Sequence, residues 1–403
     1  MKLLEIFEIS ESYRLPDTIM DALFSNNAEK IIKEVKDNVS EDIRDIFQLE
    51  QGDRKKLKQD FTPESICMIV AKLMKQGNVL DMCSGTGALS KTAAKVHDIS
   101  VNEQEFSERT IPFALLDACI NGLEGYISRA DCLRNITIET YCLQRAGDIS
   151  VPKRVDDIGK KRYDNVIMNP PYSMRFPDSE EFPVLGNVIP KSKADYGFLL
   201  RGIECLKENG RLIAILPHGI LFRGAKEGQI REWLIKEHFV SAVIGLPDKL
   251  FLNTSIPVCL LILEKDSQDV LFVDASRDFK KKSAQNEMTE QQIQMVVDAF
   301  FSRKDKEKYA HVASFSEIED NDYNLNITRY VDTFEQEPLP DIHTILKELQ
   351  QIDKEEQKVK KELYFLLGQL TGNMEDMETV KKHRKLLKTN KTEFQQLCLE
   401  EFM

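Results

Sequence analysis

The chain has 403 residues, with 55 basic and 67 acidic side chains and a formal net charge of -12. Hydrophobic residues make up 42% and charged residues 30%, a balance that excludes a mostly disordered or fibrous chain. The acidic excess argues against a protein that grips nucleic acid over its whole surface, while leaving room for a local basic groove or a basic partner. At about 100–200 residues per domain, two or three domains are expected. No run approaches the ~18 apolar residues of a membrane span. The opening MKLLEIFEIS carries acids inside its apolar stretch and no small-residue cleavage site, so no signal peptide is expected. Both points predict the cytoplasm. The cysteines at 67, 83, 119, 132, 142, 205, 259 and 398 never pair as C-x-x-C, which predicts reduced core thiols and no zinc.

In chain order, residues 1–58 read as short amphipathic helices, with Ile31, Ile32, Val35, Val39, Ile43 and Phe47 at helical spacing. The polar stretch QGDRKKLKQ leads into Phe61-Thr62-Pro63, where a helix is predicted with Thr62 as N-cap and Pro63 at its first position. From there to about residue 265, strand-like runs alternate with helical patterns. The runs are NVLDM, ISVNEQE, GYISRA, YDNVIMN, RLIAILP, VSAVIGL and PVCLLILE. This alternation predicts an α/β fold with a doubly wound, mostly parallel sheet. PVCLLILE follows a hairpin-like turn around Asn253-Thr254 and reads as an antiparallel edge strand. The stretch between Asp131 and Tyr163 reads as an insertion with scattered Arg and Lys. Residues 266–340 are mixed and more polar, and there is no internal repeat.

A heptad begins at Ile342 and runs through Ile345, Leu349, Ile352, Val359, Leu363, Leu366 and Leu370, interrupted only by Glu356. Such spacing is a coiled-coil signature. Thr371-Gly372-Asn373 ends it, and a second helix, basic at KKHRKLLK, follows. A single helix packed on its own domain is one reading; a helix hairpin or an intermolecular coil fits the nearly unbroken spacing better. The predicted organisation is an N-terminal helical region over 1–58, an α/β domain over 59–335 and a C-terminal helical region over 336–403.

The residues that carry chemistry fall at the ends of the predicted strands. NVLDM runs into Cys83-Ser84-Gly85-Thr86-Gly87-Ala88-Leu89, a glycine-rich turn that lets backbone approach a ligand, with Asp81 at the strand end. Alone, G-x-G is a weak signal. The second strand ends in Glu103-Gln104-Glu105, where a carboxylate is placed to hold two ribose hydroxyls. The third ends at Asp131, followed by Cys132, where an acid can accept from an adenine amino group. Three acids at one sheet edge fit a cofactor with a ribose and an adenine. No G-K-[ST] follows the glycines, which favours a nucleoside over a nucleotide. The fourth strand ends in Asn169-Pro170-Pro171-Tyr172. Two prolines fix the backbone there. They aim the Asn169 side-chain oxygen and the Pro170 carbonyl at an exocyclic amine, while Tyr172 offers a flat face for a base. An ordinary Pro-Pro turn is the bland alternative, and the position of the tetrad after the glycine turn and the acids argues against it.

The order FTP, DMCSGTGAL, NPPY resembles the N6-adenine DNA methyltransferases, and within them the modification subunit of type I restriction–modification systems. KADYGFLL, NGRLIAILPHGILFRGAKEGQIREWLI, VIGLPDKLFLNTSIPVCLLILEK and NDYNLNITRYV look like that family too, so the resemblance covers roughly residues 55–331. It implies a Rossmann-like methyltransferase domain using S-adenosylmethionine, with no metal. Asp81, Gly85 and Gly87 would cradle the cofactor, with Phe61, Thr62, Ala88, Leu89, Cys132 and Asn169 lining its pocket. The acid after strand two maps to Glu105, with Glu103 as the alternative, and Asp131 would contact the cofactor's adenine. Asn169, Pro170, Pro171 and Tyr172 would hold a flipped adenine of double-stranded DNA. A specificity subunit, with a restriction subunit as a further partner, would complete the assembly. Two rival functions are a methyltransferase acting on a glutamine amide of protein and an inactive assembly subunit. The sequence departs from the family in Asp81-Met82 and Ser84-Gly85, where Asp-Pro and Cys-Gly are common, and in its short N-terminal helical region.

Overall fold

The structure, a computed structural model, describes residues 2–50, 61–156, 158–159, 161–176, 183–251, 256–282, 285–333 and 341–389. The polar stretch before Phe61, the turn around Asn253-Thr254, the expected boundary at 335/336 and Cys398 lie outside the described residues. The chain divides into two compact units, Met1–Phe334 and Glu335–Met403.

In the first unit the strands are β1 (Val79–Met82), β2 (Val101–Glu105), β3 (Gly125–Asp131), β4 (Ile136–Ala146), β5 (Ile149–Val155), β6 (Tyr163–Met168), β7 (Pro183–Val184), β8 (Asn187–Val188), β9 (Leu206–Pro217), β10 (Val240–Gly245), β11 (Val258–Glu264), β12 (Val270–Asp274) and β13 (Ala310–Ala313). All but β7 and β8, which pair as a small hairpin, join one sheet in the order β13-β12-β10-β11-β9-β6-β1-β2-β3-β4-β5. The central run β3-β2-β1-β6-β9 is parallel. Antiparallel pairs flank it on both sides.

One reading of the sequence needs correction here. PVCLLILE, as β11, is antiparallel but interior, paired to β9 on one side and β10 on the other. Its residues from Val258 to Leu263 are all buried. A run apolar on both faces suits a strand whose two faces are both covered, and the backbone of β11 is paired on both edges as well. The stretch after Asp131 is a hairpin, β4 and β5, turning at Gly147 with φ +73 and extending the sheet antiparallel to β3.

Successive residues along each central strand serve opposite faces, which is what doubly wound packing requires. Val166 and Met168 pack with α8 (Asp195–Glu204) and α9 (Ala225–Lys236), while Ile167 packs with α5 (Glu64–Leu73), α6 (Ala88–Val96) and α10 (Glu290–Ser302). A third cluster joins α7 (Ile111–Ile120) to the N-terminal helices α1 (Leu3–Ile6), α2 (Leu15–Leu23), α3 (Ala28–Asn38) and α4 (Ile43–Glu50). Ile32, Val35, Ile43 and Phe47 are buried in it, so the first helices share a core with the sheet. Lys91 bridges Asp42 and Asp117 at 3.1 Å each and ties the same layers together. A short helix α11 (Phe315–Asp320) completes this unit.

The second unit holds α12 (Ile342–Gln369) and α13 (Met374–Thr389). Asp341 caps α12 by accepting from the Thr344 N–H at 3.2 Å, and Asn373 accepts from the Asp376 N–H at 2.9 Å as α13 starts. The helices touch where the Arg384 guanidinium lies 4.1 Å from the Tyr364 ring centre. Among the described residues no helix is long and apolar enough to cross a membrane.

Candidate active site

Parallel strands release their following loops at one sheet edge, the usual place for a ligand in an open α/β sheet. Here the loops after β1, β2, β3 and β6 meet there, so the four predicted segments come together.

The turn after β1 is left-handed at Cys83 (φ +60), Gly85 (φ +59) and Gly87 (φ +80). Gly87 also has no room for a side chain, since a Cβ would stand 2.8 Å from a Glu103 carboxylate oxygen. Ala88 and Leu89 follow as the buried first residues of α6. Glu105 closes the turn: one of its oxygens accepts from the Gly85 N–H at 3.0 Å and the other from the Ser107 N–H at 2.7 Å. Glu103 lies one alternation deeper, beneath Gly87. The two candidate acids therefore share a face of β2, with Glu105 at the rim and Glu103 at the floor. Phe106, next to Glu105, is 59% exposed. Sequence reasoning passed over it, although an aromatic directly after the strand-two acid was a readable signal.

The floor holds two buried carboxyl groups, Asp81 and Glu103. Asp81 accepts from the Ser90 N–H at 3.2 Å and from the Ser90 hydroxyl at 2.9 Å through one oxygen. Its other oxygen, the Thr86 hydroxyl and one Glu103 oxygen are buried without hydrogen-bond partners. Burial pushes the Asp81 carboxyl up to about 7. It pushes Glu103 well above its ordinary value too, and the neighbouring Asp81 adds to that. Buried polar atoms without partners are costly, and functional sites are where that cost is met.

At the third loop both Asp131 oxygens engage Arg134, one accepting from its N–H at 3.0 Å and the other from its guanidinium at 2.6 Å. Cys132 donates to the Gln104 side-chain oxygen at 3.5 Å.

At the fourth loop the Asn169 amide nitrogen donates to the Thr62 hydroxyl at 2.9 Å, and the Tyr172 hydroxyl donates to the Asn169 side-chain oxygen at 2.8 Å. This corrects the reading of Thr62 as an N-cap. Helix α5 starts at Glu64 with Pro63 as its N-cap, and no side chain caps it. The Thr62 hydroxyl is turned toward the tetrad instead. Phe61 meets Phe47 of α4 edge-on at 5.8 Å, and the Arg44 guanidinium donates to the Thr62 carbonyl at 3.4 Å. The Tyr172 ring stands edge-on to Phe251, 6.4 Å away. Phe251 is a second aromatic at the site that sequence reasoning did not single out.

A parallel-centred sheet with a glycine turn after its first strand, acids after the next two and N-P-P-Y after β6 defines the Rossmann-like methyltransferase class. The chain belongs to the N-6 DNA methylase family, whose profile matches residues 46–338. It is 25% identical over 343 residues to the type I restriction enzyme MpnII methylase subunit of Mycoplasma pneumoniae, covering 79% of this chain and 61% of that protein. It is 28% identical to the MjaVII methylase subunit of Methanocaldococcus jannaschii, covering 75% and 54%. The chain thus spans a little over half the length of these curated relatives. A crystal structure of a type I restriction-modification system methyltransferase subunit from Streptococcus thermophilus is similar at 37% identity and TM-score 0.58, covering 68% of this chain and 59% of that one. A modification subunit of a putative type I restriction enzyme from Vibrio vulnificus shares the fold at 18% identity and TM-score 0.54, covering 77% and 66%.

Proposed function

We propose that this chain transfers a methyl group from S-adenosylmethionine to N6 of adenine in DNA, as the modification subunit of a type I-like restriction–modification system. The observation that carries the reading is the orientation of the Asn169 carboxamide. Its nitrogen donates to the Thr62 hydroxyl, which fixes its oxygen as the acceptor, and that oxygen meets the Tyr172 hydroxyl at 2.8 Å. An acceptor next to a stacking face suits an exocyclic amine on a flat base. The base must leave the duplex to reach it, and stacking on Tyr172 offsets part of that cost.

The cofactor suits the floor of the site. S-adenosylmethionine brings cationic groups, a ribose and an adenine. Asp81 and Glu103 offer buried carboxylates under a turn with no side chains at Gly85 and Gly87. Glu105 at the rim is our choice for the ribose, Phe106 for one face of the adenine and Asp131 for its amino group, with Phe61, Thr62, Cys132 and Leu89 around them. When bound, the cofactor supplies an activated methyl on a good leaving group. The chain then has to hold the amine in line. Asn169 and the Pro170 carbonyl accept its two hydrogens, which turns the nitrogen lone pair toward the methyl. Positioning of this kind supplies most of the barrier reduction.

The exposed heptad stripe on α12 supports binding of a specificity subunit, which would read the DNA sequence in trans, with a restriction subunit as a further partner. We assign catalysis to 59–335 and partner binding to 336–403.

The test is transfer of labelled methyl to DNA and, separately, to protein, with and without a candidate specificity subunit. Labelled DNA that is protected from further labelling at adenine supports the reading. Label in protein alone overturns it.

A further inference from the structure

The tetrad ends at Tyr172, and the next residue, Ser173, is left-handed with φ +52. That conformation is uncommon for a residue with a side chain, so something must hold it. Two residues far away in sequence do so. The Ser173 N–H donates to one oxygen of Asp195 at 2.8 Å. The other Asp195 oxygen accepts from the Arg223 guanidinium at 2.6 Å, and a second Arg223 nitrogen donates to the Ser173 hydroxyl at 3.3 Å. Arg223 also pairs with Glu227 at 2.9 Å.

We propose that Asp195 and Arg223 form a buried clamp that fixes where the Tyr172 ring stands, and so act as positioning residues for the transfer reaction. The consequence for transfer rests on the function proposed above; the clamp itself does not.

The topology explains why these residues meet. Strands β6 and β9 are parallel neighbours, so the chain leaves both at the same edge. Ser173 follows β6, Asp195 opens α8, and Arg223 lies between β9 and α9. Three loops that have no sequence proximity are locked through one carboxylate. That carboxylate is wholly buried, and the side chain of its partner Arg223 is 17% exposed. A buried charge is tolerated only with its partner and hydrogen bonds in place. Loosening either residue therefore releases Ser173, and Tyr172 with it. Among the described hydrogen bonds and ion pairs, the Asp195 and Arg223 side chains engage Ser173, Glu227 and each other rather than Thr62 or the glycine turn, so cofactor affinity is expected to change little.

The test uses the full chain with Asp195→Asn and Arg223→Lys. Asp195→Asn keeps an acceptor for Ser173 but turns a donor toward Arg223. Arg223→Lys keeps the charge but cannot reach both partners. Hydrogen exchange is followed over 172–176, since Pro170 and Pro171 carry no amide hydrogen. We expect exchange there to quicken about tenfold in Asp195→Asn, with β6 and α8 unchanged. We expect kcat to fall about 10- to 100-fold. Calorimetry should give a cofactor Kd within about twofold of the wild type, and Arg223→Lys should show a smaller loss of kcat. If Asp195→Asn fails to bind cofactor, Arg223→Lys decides. Unchanged exchange over 172–176 in a variant that binds cofactor overturns the clamp. Faster exchange with unchanged kcat overturns its role in positioning. The kcat is read with a specificity subunit present; if that wild-type assembly moves no methyl to DNA, the proposed function fails while the exchange result still decides the clamp.

Discussion

Two amphipathic helices in this chain have met opposite fates. In α3, Ile32 and Val35 are buried against α7 and the sheet. In α12, Ile342, Leu349, Ile352 and Val359 repeat with the same regularity, yet they are 66%, 53%, 60% and 61% exposed. Periodicity shows that a helix has an apolar face; it does not show what covers that face. For α3 the cover is this chain. For α12, the contact with α13 described above falls at Tyr364, off the stripe, and the stripe residues named here stay exposed.

The largest expected effect tests that division. Deletion of 341–403 should leave a folded protein that still binds cofactor by calorimetry, and should abolish co-purification with a specificity subunit. Loss of cofactor binding in the truncated chain would mean that the second unit supports the first. Next in size, Asn169→Ala should reduce methyl transfer by about 10³-fold or more while leaving cofactor affinity unchanged, since the lost group faces the amine. Full transfer by this variant would remove the tetrad from the reaction.

A pair of matched substitutions then addresses the helices themselves. Ile32→Ala removes a fully buried side chain and should cost about 2–5 kcal/mol in denaturant unfolding. Leu349→Ala removes an exposed one and should change the stability of the isolated chain by less than about 0.5 kcal/mol. Equal costs would show that α12 is covered after all.

The contrast also explains what was legible beforehand. Strands β1, β2, β3, β6, β9, β10 and β11 were readable because short apolar runs alternate with helical spacing. The β4–β5 hairpin was not read, although Ile136, Thr137, Ile138, Thr140 and Tyr141 are good strand formers and Gly147 marks its turn. Arg and Lys on its outer face masked the pattern. The glycine turn, the acids and N-P-P-Y were visible because each is local. Thr62 was read as a cap and as a lining residue of the cofactor pocket, but its bond to Asn169 was not legible, because it spans 107 residues of chain. Asp195 and Arg223 lay inside the recognisable segments KADYGFLL and LFRGAK, but no spacing rule links a helix start to a loop beyond the next strand.

Burial in the first unit has a cost at the site, and pH measures it. The folded state raises the Asp81 carboxyl to about 7 from its ordinary 3.8, so the folded chain holds that proton more tightly than the unfolded chain. The contribution to stability is complete below about pH 4 and is lost as pH rises through 7. Relative to Asp81→Asn, the cofactor-free wild type should therefore lose about 2–4 °C of Tm between pH 5 and pH 8. A constant difference between the two proteins would mean that Asp81 is ionised throughout.

The smallest expected effect concerns Tyr172. Its ring and its hydroxyl do opposite things. The ring is the proposed stacking face, and Tyr172→Ala should weaken transfer by about 1–3 kcal/mol. The hydroxyl donates to the Asn169 oxygen at 2.8 Å, the atom that the incoming amine must use as its acceptor. Without DNA this bond holds the acceptor satisfied; with DNA it competes. A neutral hydrogen bond is worth about 0.5–1.5 kcal/mol net. Tyr172→Phe should therefore keep kcat and lower the KM for DNA by a factor of about 2–10, with cofactor affinity unchanged. A raised KM would mean that the hydroxyl holds Asn169 in its working orientation, and that Thr62 alone does not suffice.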